Sequence, residues 1–154
     1  MNTLILYYSR SGNTEKLAKR IQQDLKCDII KIEPENDYGN YVSSCLRVAK
    51  EKVTSKPDYK TALIDISGYD LILIGYPIWM QNVPDFFAKY VYELDLTDKT
   101  VIPFATYGGS DINWTMKTVK NICKGASIKL PFSIGVFKKD DYNKWIQEVK
   151  LLAD

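Results

Sequence analysis

Hydrophobic positions along the chain change period several times, and each change marks an element. Leu4 to Tyr8 is an unbroken apolar run, short enough for a strand covered on both faces. At Ser9 it gives way to a polar stretch and then to Leu17, Ala18, Ile21 and Leu25, whose three- and four-residue spacing predicts a helix. Asp28 to Ile32 predicts a second strand, closed by the turn-rich Glu33-Pro34-Glu35-Asn36-Asp37. Tyr41, Cys45, Ala49 and Val53, with Val42 and Leu46 beside them, predict a helix over about residues 40 to 53 that Lys56-Pro57-Asp58 ends.

The second half repeats the alternation. Asp70 to Gly75 reads as a central strand, and Pro84 opens a helix whose apolar face is Phe86, Phe87, Tyr90, Val91 and Leu94. A strand over Thr100 to Thr106 follows, then a helix capped by Asp111 or Ser110, bearing Trp114, Val119, Ile122 and Cys123 and stopped by Gly125. A weaker strand near Ser127 to Phe132 belongs at a sheet edge because of Pro131. The last helix, from about Asp141, carries Tyr142, Trp145, Ile146, Val149 and Leu152. Pro103 is the misfit, since it falls inside a strand that otherwise belongs within the sheet.

Five strands alternating with helices predict an α/β fold: a doubly wound, five-stranded parallel sheet in three α/β/α layers. With 154 residues and no repeat, linker or low-complexity tract, a single domain over 1–154 is expected. Such a sheet binds ligands beyond the carboxyl ends of its strands. Three loops leave those ends, at residues 9–14, 76–82 and 106–111.

Composition narrows the chemistry. The chain has no histidine, which removes histidine triads and histidine-bound zinc. Cys27, Cys45 and Cys123 are odd in number and form no C-x-x-C, so they read as small core residues, with neither a disulfide framework nor a metal site. No leader pattern and no run of membrane-spanning length is visible, so a cytoplasmic location without membrane contact is the expectation. The lysines form no basic stripe with interleaved aromatics, which argues against nucleic acid.

The first loop, Ser9-Arg10-Ser11-Gly12-Asn13-Thr14, joins a strand to a helix and offers hydroxyls, free N–H groups and the positive end of a helix dipole to an anion. It lacks the lysine of a nucleoside-triphosphate loop and the glycine pattern of a dinucleotide loop, so a monophosphate fits best; an ordinary capped turn is the plain alternative. In the second, Tyr76-Pro77-Ile78-Trp79-Met80-Gln81-Asn82, Trp79 can stack on a flat ligand while Gln81 and Asn82 bond its polar edge, or Trp79 can fold back into the core. In the third, Thr106-Tyr107-Gly108-Gly109-Ser110-Asp111, paired glycines free N–H groups and Tyr107 can cover a second ring face; its alternative is a connector capped by Asp111. Together the loops describe a site for a phosphorylated planar heterocycle.

The Ser9 to Thr14 stretch resembles the T/S-x-T/S-G-x-T phosphate loop of flavodoxins, and Gly75 to Trp79 with Thr106 to Ser110 resembles the two flavin-ring loops of the same family. The resemblance covers nearly the whole chain. It implies a flavodoxin-like fold of strand order 2-1-3-4-5 that binds FMN non-covalently, the phosphate at residues 9–14 and the ring between residues 77–82 and 106–111. A carboxylate at Asp111 near the ring would lower its potential.

Two features depart from the family. The second loop has no glycine from Pro77 to Asn82, where many flavodoxins have one whose peptide turns to bond the reduced ring. The formal net charge is +2, whereas electron-carrying flavodoxins are typically acidic, and from Lys117 to Lys150 eight lysines face only Asp140, Asp141 and Glu148. This lysine-rich third is either a solvated surface or a dock for an acidic partner. The resemblance implies an electron carrier serving a redox partner protein or a small electron acceptor. The alternatives are an NAD(P)H-dependent flavin enzyme that reduces quinones and a flavin-free interaction domain of the same fold.

Overall fold

The computed structural model describes residues 1–36, 58–109, 111–135 and 141–154. The helix expected over about residues 40 to 53, with Cys45, and the Ser110 position lie outside the described residues. In chain order the elements are β1 (Thr3–Tyr7), α1 (Asn13–Leu25), β2 (Asp28–Lys31), β3 (Leu71–Pro77), α2 (Asp85–Tyr92), β4 (Thr100–Tyr107), a 3-10 turn (Ile112–Thr115), α3 (Met116–Ile122), β5 (Ser127–Ile128), β6 (Phe132–Gly135) and α4 (Tyr142–Ala153). All strand pairs are parallel, in the order β2-β1-β3-β4-β5, with β6 also on β4. This is the doubly wound sheet of order 2-1-3-4-5 that the alternation and the resemblance implied.

The unbroken apolar runs have a direct cause. Alternate residues of β1, β3 and β4 point to opposite faces, and both faces are covered. Leu4, Leu6, Ile72, Ile74, Tyr76, Val101 and Ala105 pack with Phe86, Phe87, Tyr90 and Val91 of α2 and Val119 and Ile122 of α3. Ile5, Tyr7, Leu71, Leu73, Ile102 and Phe104 pack with Leu17, Ala18 and Ile21 of α1 and Tyr142, Trp145, Ile146 and Val149 of α4.

The edge strand explains the misplaced proline. Lys129 N donates to Val101 O at 2.9 Å and Ser127 N to Lys99 O at 2.9 Å, so the odd-numbered residues of β4 turn their backbone groups toward that edge. Pro103 therefore lacks its N–H on the side facing Lys129, where the edge strand itself breaks: Leu130 takes a φ of 45° and Pro131 follows, before pairing resumes at Phe104 and Phe132. The single strand expected near Ser127 to Phe132 is two segments, and the second runs on to Gly135.

A second correction concerns Trp114. It is expected on the helix itself, but residues 112–115 form a 3-10 turn ahead of the helix, and the tryptophan stands 60% exposed. Asp111 caps that turn, its Oδ1 accepting from Asn113 N at 2.9 Å.

Cys123 is buried and Cys27 half-buried, and burial pushes the thiols up to about 12 and about 11, so neither is ionised near neutral pH.

Helices α1 and α4 are joined by a charged contact. Tyr142 Oη donates to Asp24 Oδ2 at 2.7 Å and Lys150 Nζ to Asp24 Oδ1 at 3.1 Å. The Tyr142 hydroxyl first, and Lys150 after it, hold the Asp24 carboxyl below its ordinary value. A carboxyl lowered in the folded state contributes stability above its unfolded value and loses it as pH falls through the folded one. The stability difference between wild type and Asp24→Asn in urea unfolding is therefore expected to be open at pH 7 and to close below about pH 4. A difference independent of pH would contradict this.

Candidate functional site

The carboxyl ends of β1, β3 and β4 lie side by side in register, Tyr7 beside Gly75 and Pro77 beside Thr106. Their three loops therefore open onto one cleft of about 560 Å³. Among the predicted residues, Arg10, Ser11, Asn13, Pro77, Ile78, Trp79, Thr106, Tyr107 and Gly108 line it.

The first loop is built to leave donors unspent. Gly12 takes a φ of 91°, left-handed backbone that favours glycine, and its N–H is taken by Ser9 Oγ at 3.1 Å. No side chain caps α1, so the N–H groups of its first turn keep no capping partner. Ser11 and Asn13 are exposed beside them. Thr14 instead is buried, and its hydroxyl lies 2.7 Å from that of Thr106.

Thr106 is the brace of the site. Besides the Thr14 contact, its carbonyl accepts from Ile78 N at 2.9 Å, so one residue ties the third loop to the other two. A further tie is buried: Thr115 Oγ1 donates to Ile112 O at 2.8 Å, which leaves Tyr76 Oη to donate to Thr115 Oγ1 at 2.7 Å. Burial raises the Tyr76 hydroxyl well above its ordinary value, so the proton stays.

The second loop is a tight hairpin. Trp79 and Asn82 exchange both backbone hydrogen bonds at 2.9 Å, and Met80 and Gln81 between them take φ of 47° and 62°, as a two-residue primed turn requires. The missing glycine is thus replaced by two residues held in a costly conformation. Trp79 is half-buried and meets Tyr8 edge-on with ring centres 5.4 Å apart, so it both packs inward and lines the cleft. Met80, Gln81 and Asn82 do not line it: Met80 is 55% exposed at the tip, and Asn82 Oδ1 accepts from Val83 N at 2.9 Å. Gly109 and the capping Asp111 also lie outside the lining.

Lys16, Leu17, Arg20, Ile134 and Gly135 line the cleft without having been foreseen. Helical spacing from Asn13 to Lys16, Leu17 and Arg20 was the available signal for the first three. Arg20 is held in place: its guanidinium carbon lies 3.7 Å from the Tyr142 ring centre and one of its N–H groups donates to Asn143 Oδ1 at 3.3 Å. Gly135 is required by Tyr107, because a Cβ there would stand 2.3 Å from the tyrosine ring. The ionisable lining, apart from Tyr107, is wholly cationic.

The donor set fits a phosphorylated aromatic ligand: an uncapped helix start beside Arg10 for the phosphate, and Trp79 and Tyr107 for a flat ring. A three-layer sheet with this cleft at its switch point defines a flavodoxin-like α/β protein. A flavodoxin family model matches residues 2–149. A flavodoxin of Haemophilus influenzae is 34% identical over an alignment of 102 residues that covers 63% of this chain and 45% of that protein, so the match spans less than half of that relative. Among solved structures, one described as a flavoprotein from Bacteroides eggerthii has a TM-score of 0.80 at 26% identity, with 99% of this chain and 98% of that one covered. A flavoprotein from Lactobacillus acidophilus, solved in complex with FMN, has a TM-score of 0.74 at 23% identity, with 86% and 91% covered. The chain belongs to the flavodoxin family. Among the described residues no helix is long and apolar enough to cross a membrane.

Proposed function

We propose that this protein is an electron shuttle whose FMN lies in the cleft between residues 9–14, 77–79 and 106–108. The observation that carries it is the cross-bracing of three loops around Thr106 beside an uncapped helix start. Ser11, Gly12 and Asn13 supply N–H and polar side-chain donors to the phosphate, and Arg10 adds charge. Ser9 and Thr14 act through the loop, the first by holding Gly12 and the second by holding Thr106. Trp79 and Tyr107 flank the ring, Pro77 and Ile78 keep water from its edge, and Arg10, Lys16 and Arg20 make the cleft electropositive. The flavin supplies the electron chemistry when bound, and no side chain is assigned a catalytic step. With Asp111 engaged in its cap, the potential is set by the cationic lining in place of a nearby carboxylate.

Trp79→Ala is expected to weaken flavin binding about tenfold, read by recovery of free-flavin fluorescence, since one stacking face is worth about 1 kcal/mol or more. Unchanged affinity would place the ring elsewhere.

A second reading, an NAD(P)H-dependent enzyme passing electrons to quinones, is favoured by one observation: Lys16 and Arg20 carry the cationic lining beyond the first loop, where a second phosphorylated substrate can lie. Anaerobic titration separates the two. Two resolved one-electron steps with slow NAD(P)H oxidation support the shuttle, whereas rapid NAD(P)H oxidation in the presence of a quinone supports the enzyme. The thiols Cys27 and Cys123, both free, fit a reducing compartment, and we place the shuttle in the cytoplasm with a protein partner.

A further inference from the structure

None of the described lysines between residues 117 and 129 lines the cleft. From Ile112 to Lys139 the sequence contains Lys117, Lys120, Lys124, Lys129, Lys138 and Lys139 and no acidic residue. Three of these stand together. Trp114, Lys117 and Asn121 recur at three- and four-residue spacing along the 3-10 turn and α3, with Lys120 alongside and Lys124 two residues past the helix end, and all five are exposed. The opposite side of the helix, Val119, Ile122 and Cys123, is buried. Lys117 and Lys120 make no ion pair among the described residues. Lys124 Nζ lies 3.2 Å from Tyr92 Oη and 4.8 Å from the centre of its ring, and Tyr92 is itself 52% exposed. The nearest acid in sequence, Asp111, is engaged as the cap of the 3-10 turn, while Glu93 accepts from Tyr59 Oη and Asp98 N donates to Gly125 O just past α3.

We infer that the α3 face, with Trp114 as its apolar anchor and Lys117, Lys120 and Lys124 as its charges, docks the acidic surface of a redox partner protein. This rests on the reading of the protein as an electron carrier. Charge complementarity selects the partner's sign, and an exposed tryptophan followed along the same segment by lysines suits an interface with an aromatic anchor and a charged rim. A second copy of this chain is disfavoured because its own α3 face and net charge have the same sign. The position suits electron transfer: Trp114 lies just past Thr106, Tyr107 and Gly108 of the cleft, and the Tyr76–Thr115 bond fixes the turn that carries it to the base of the second loop.

Calorimetric titration tests this with an acidic [2Fe–2S] ferredoxin and a basic cytochrome c as probes, on the protein with FMN added and on the flavin-free protein. The expected result is binding of the ferredoxin and not of the cytochrome. Raising salt from about 20 to about 200 mM is expected to weaken it at least about tenfold. The triple variant Lys117→Glu/Lys120→Glu/Lys124→Glu should lose at least about tenfold in affinity while its flavin affinity and visible spectrum stay unchanged. Trp114→Ala should lose about threefold to tenfold with the salt dependence retained. The inference is overturned if the ferredoxin does not bind at low salt, if both probes bind equally, or if the triple variant binds like wild type. Tighter binding of single-stranded DNA or phosphatidylserine vesicles, lost in the triple variant, would also overturn it in favour of a polyanion site. Failure of the electron-carrier reading shows separately, as protein that takes up no FMN, because ferredoxin binding is measured without flavin as well.

Discussion

Gly75→Ala is expected to lower stability by about 2 to 3 kcal/mol in urea unfolding, at the upper end of what overpacking by one methyl group costs. The added Cβ would stand 2.1 Å from Cζ and 2.4 Å from Cε2 of Phe104. Phe104 is fully buried and pairs in register with Gly75 across β3 and β4, so its ring lies over the glycine. Beyond the glycine the ring is confined by the cluster that α1 and α4 complete, and it can yield only by displacing those side chains. Trimming the ring tests this cause. Phe104→Leu alone leaves space and costs stability, but combined with Gly75→Ala the two losses should fall short of their sum by about 1 kcal/mol or more. Strict additivity would show that Phe104 is not the obstacle. Because Gly75 leads directly into Tyr76 and Pro77, the strain reaches the cleft, and flavin affinity should fall in Gly75→Ala and recover in the double variant.

That glycine also shows how far the sequence could be read. The run Asp70 to Gly75 was legible as a central strand because both its faces are covered, but nothing local says which neighbouring ring needs the glycine. Pairing between distant strands decides it, and periodicity carries no register. Pro103 failed for the same reason: its place is tolerable only because the facing edge strand breaks at Leu130, a fact about a different segment. Trp114 was misplaced because a 3-10 turn and an α-helix have nearly the same short-range spacing, so three residues past the cap the two predict different faces. The three loops were legible because doubly wound sheets bring strand ends together whatever the details. Within them, chemistry alone could not separate Ser11 and Asn13, which line the cleft, from Ser9 and Thr14, which hold the backbone for them. Lys16 and Arg20 were hidden by looking ordinary, since charged residues on an exposed helix face are the rule.

The largest expected effect on binding comes from the first loop. Wild-type protein should bind FMN at least about 100-fold more tightly than riboflavin, because two or three charge-assisted hydrogen bonds to the phosphate at about 1.5 kcal/mol each exceed the roughly 2.7 kcal/mol that ratio represents. The donors depend on the left-handed turn at Gly12, whose φ is 91°. Gly12→Val should lose most of that preference, binding FMN about 30-fold to 100-fold more weakly while riboflavin affinity changes less than about threefold. The cause is conformational rather than steric: a Cβ at Gly12 meets nothing within 4 Å, but a β-branched residue disfavours this backbone and turns the Asn13 and Thr14 N–H groups away from a common point. Gly12→Asn separates the two explanations, since asparagine tolerates left-handed backbone and should keep most of the preference. Flavin fluorescence quenching reads all six affinities. Equal weakening of FMN and riboflavin in Gly12→Val would show that the loop shapes the ring pocket instead of holding the phosphate, and equal binding of the two flavins by wild type would remove the phosphate from this loop altogether.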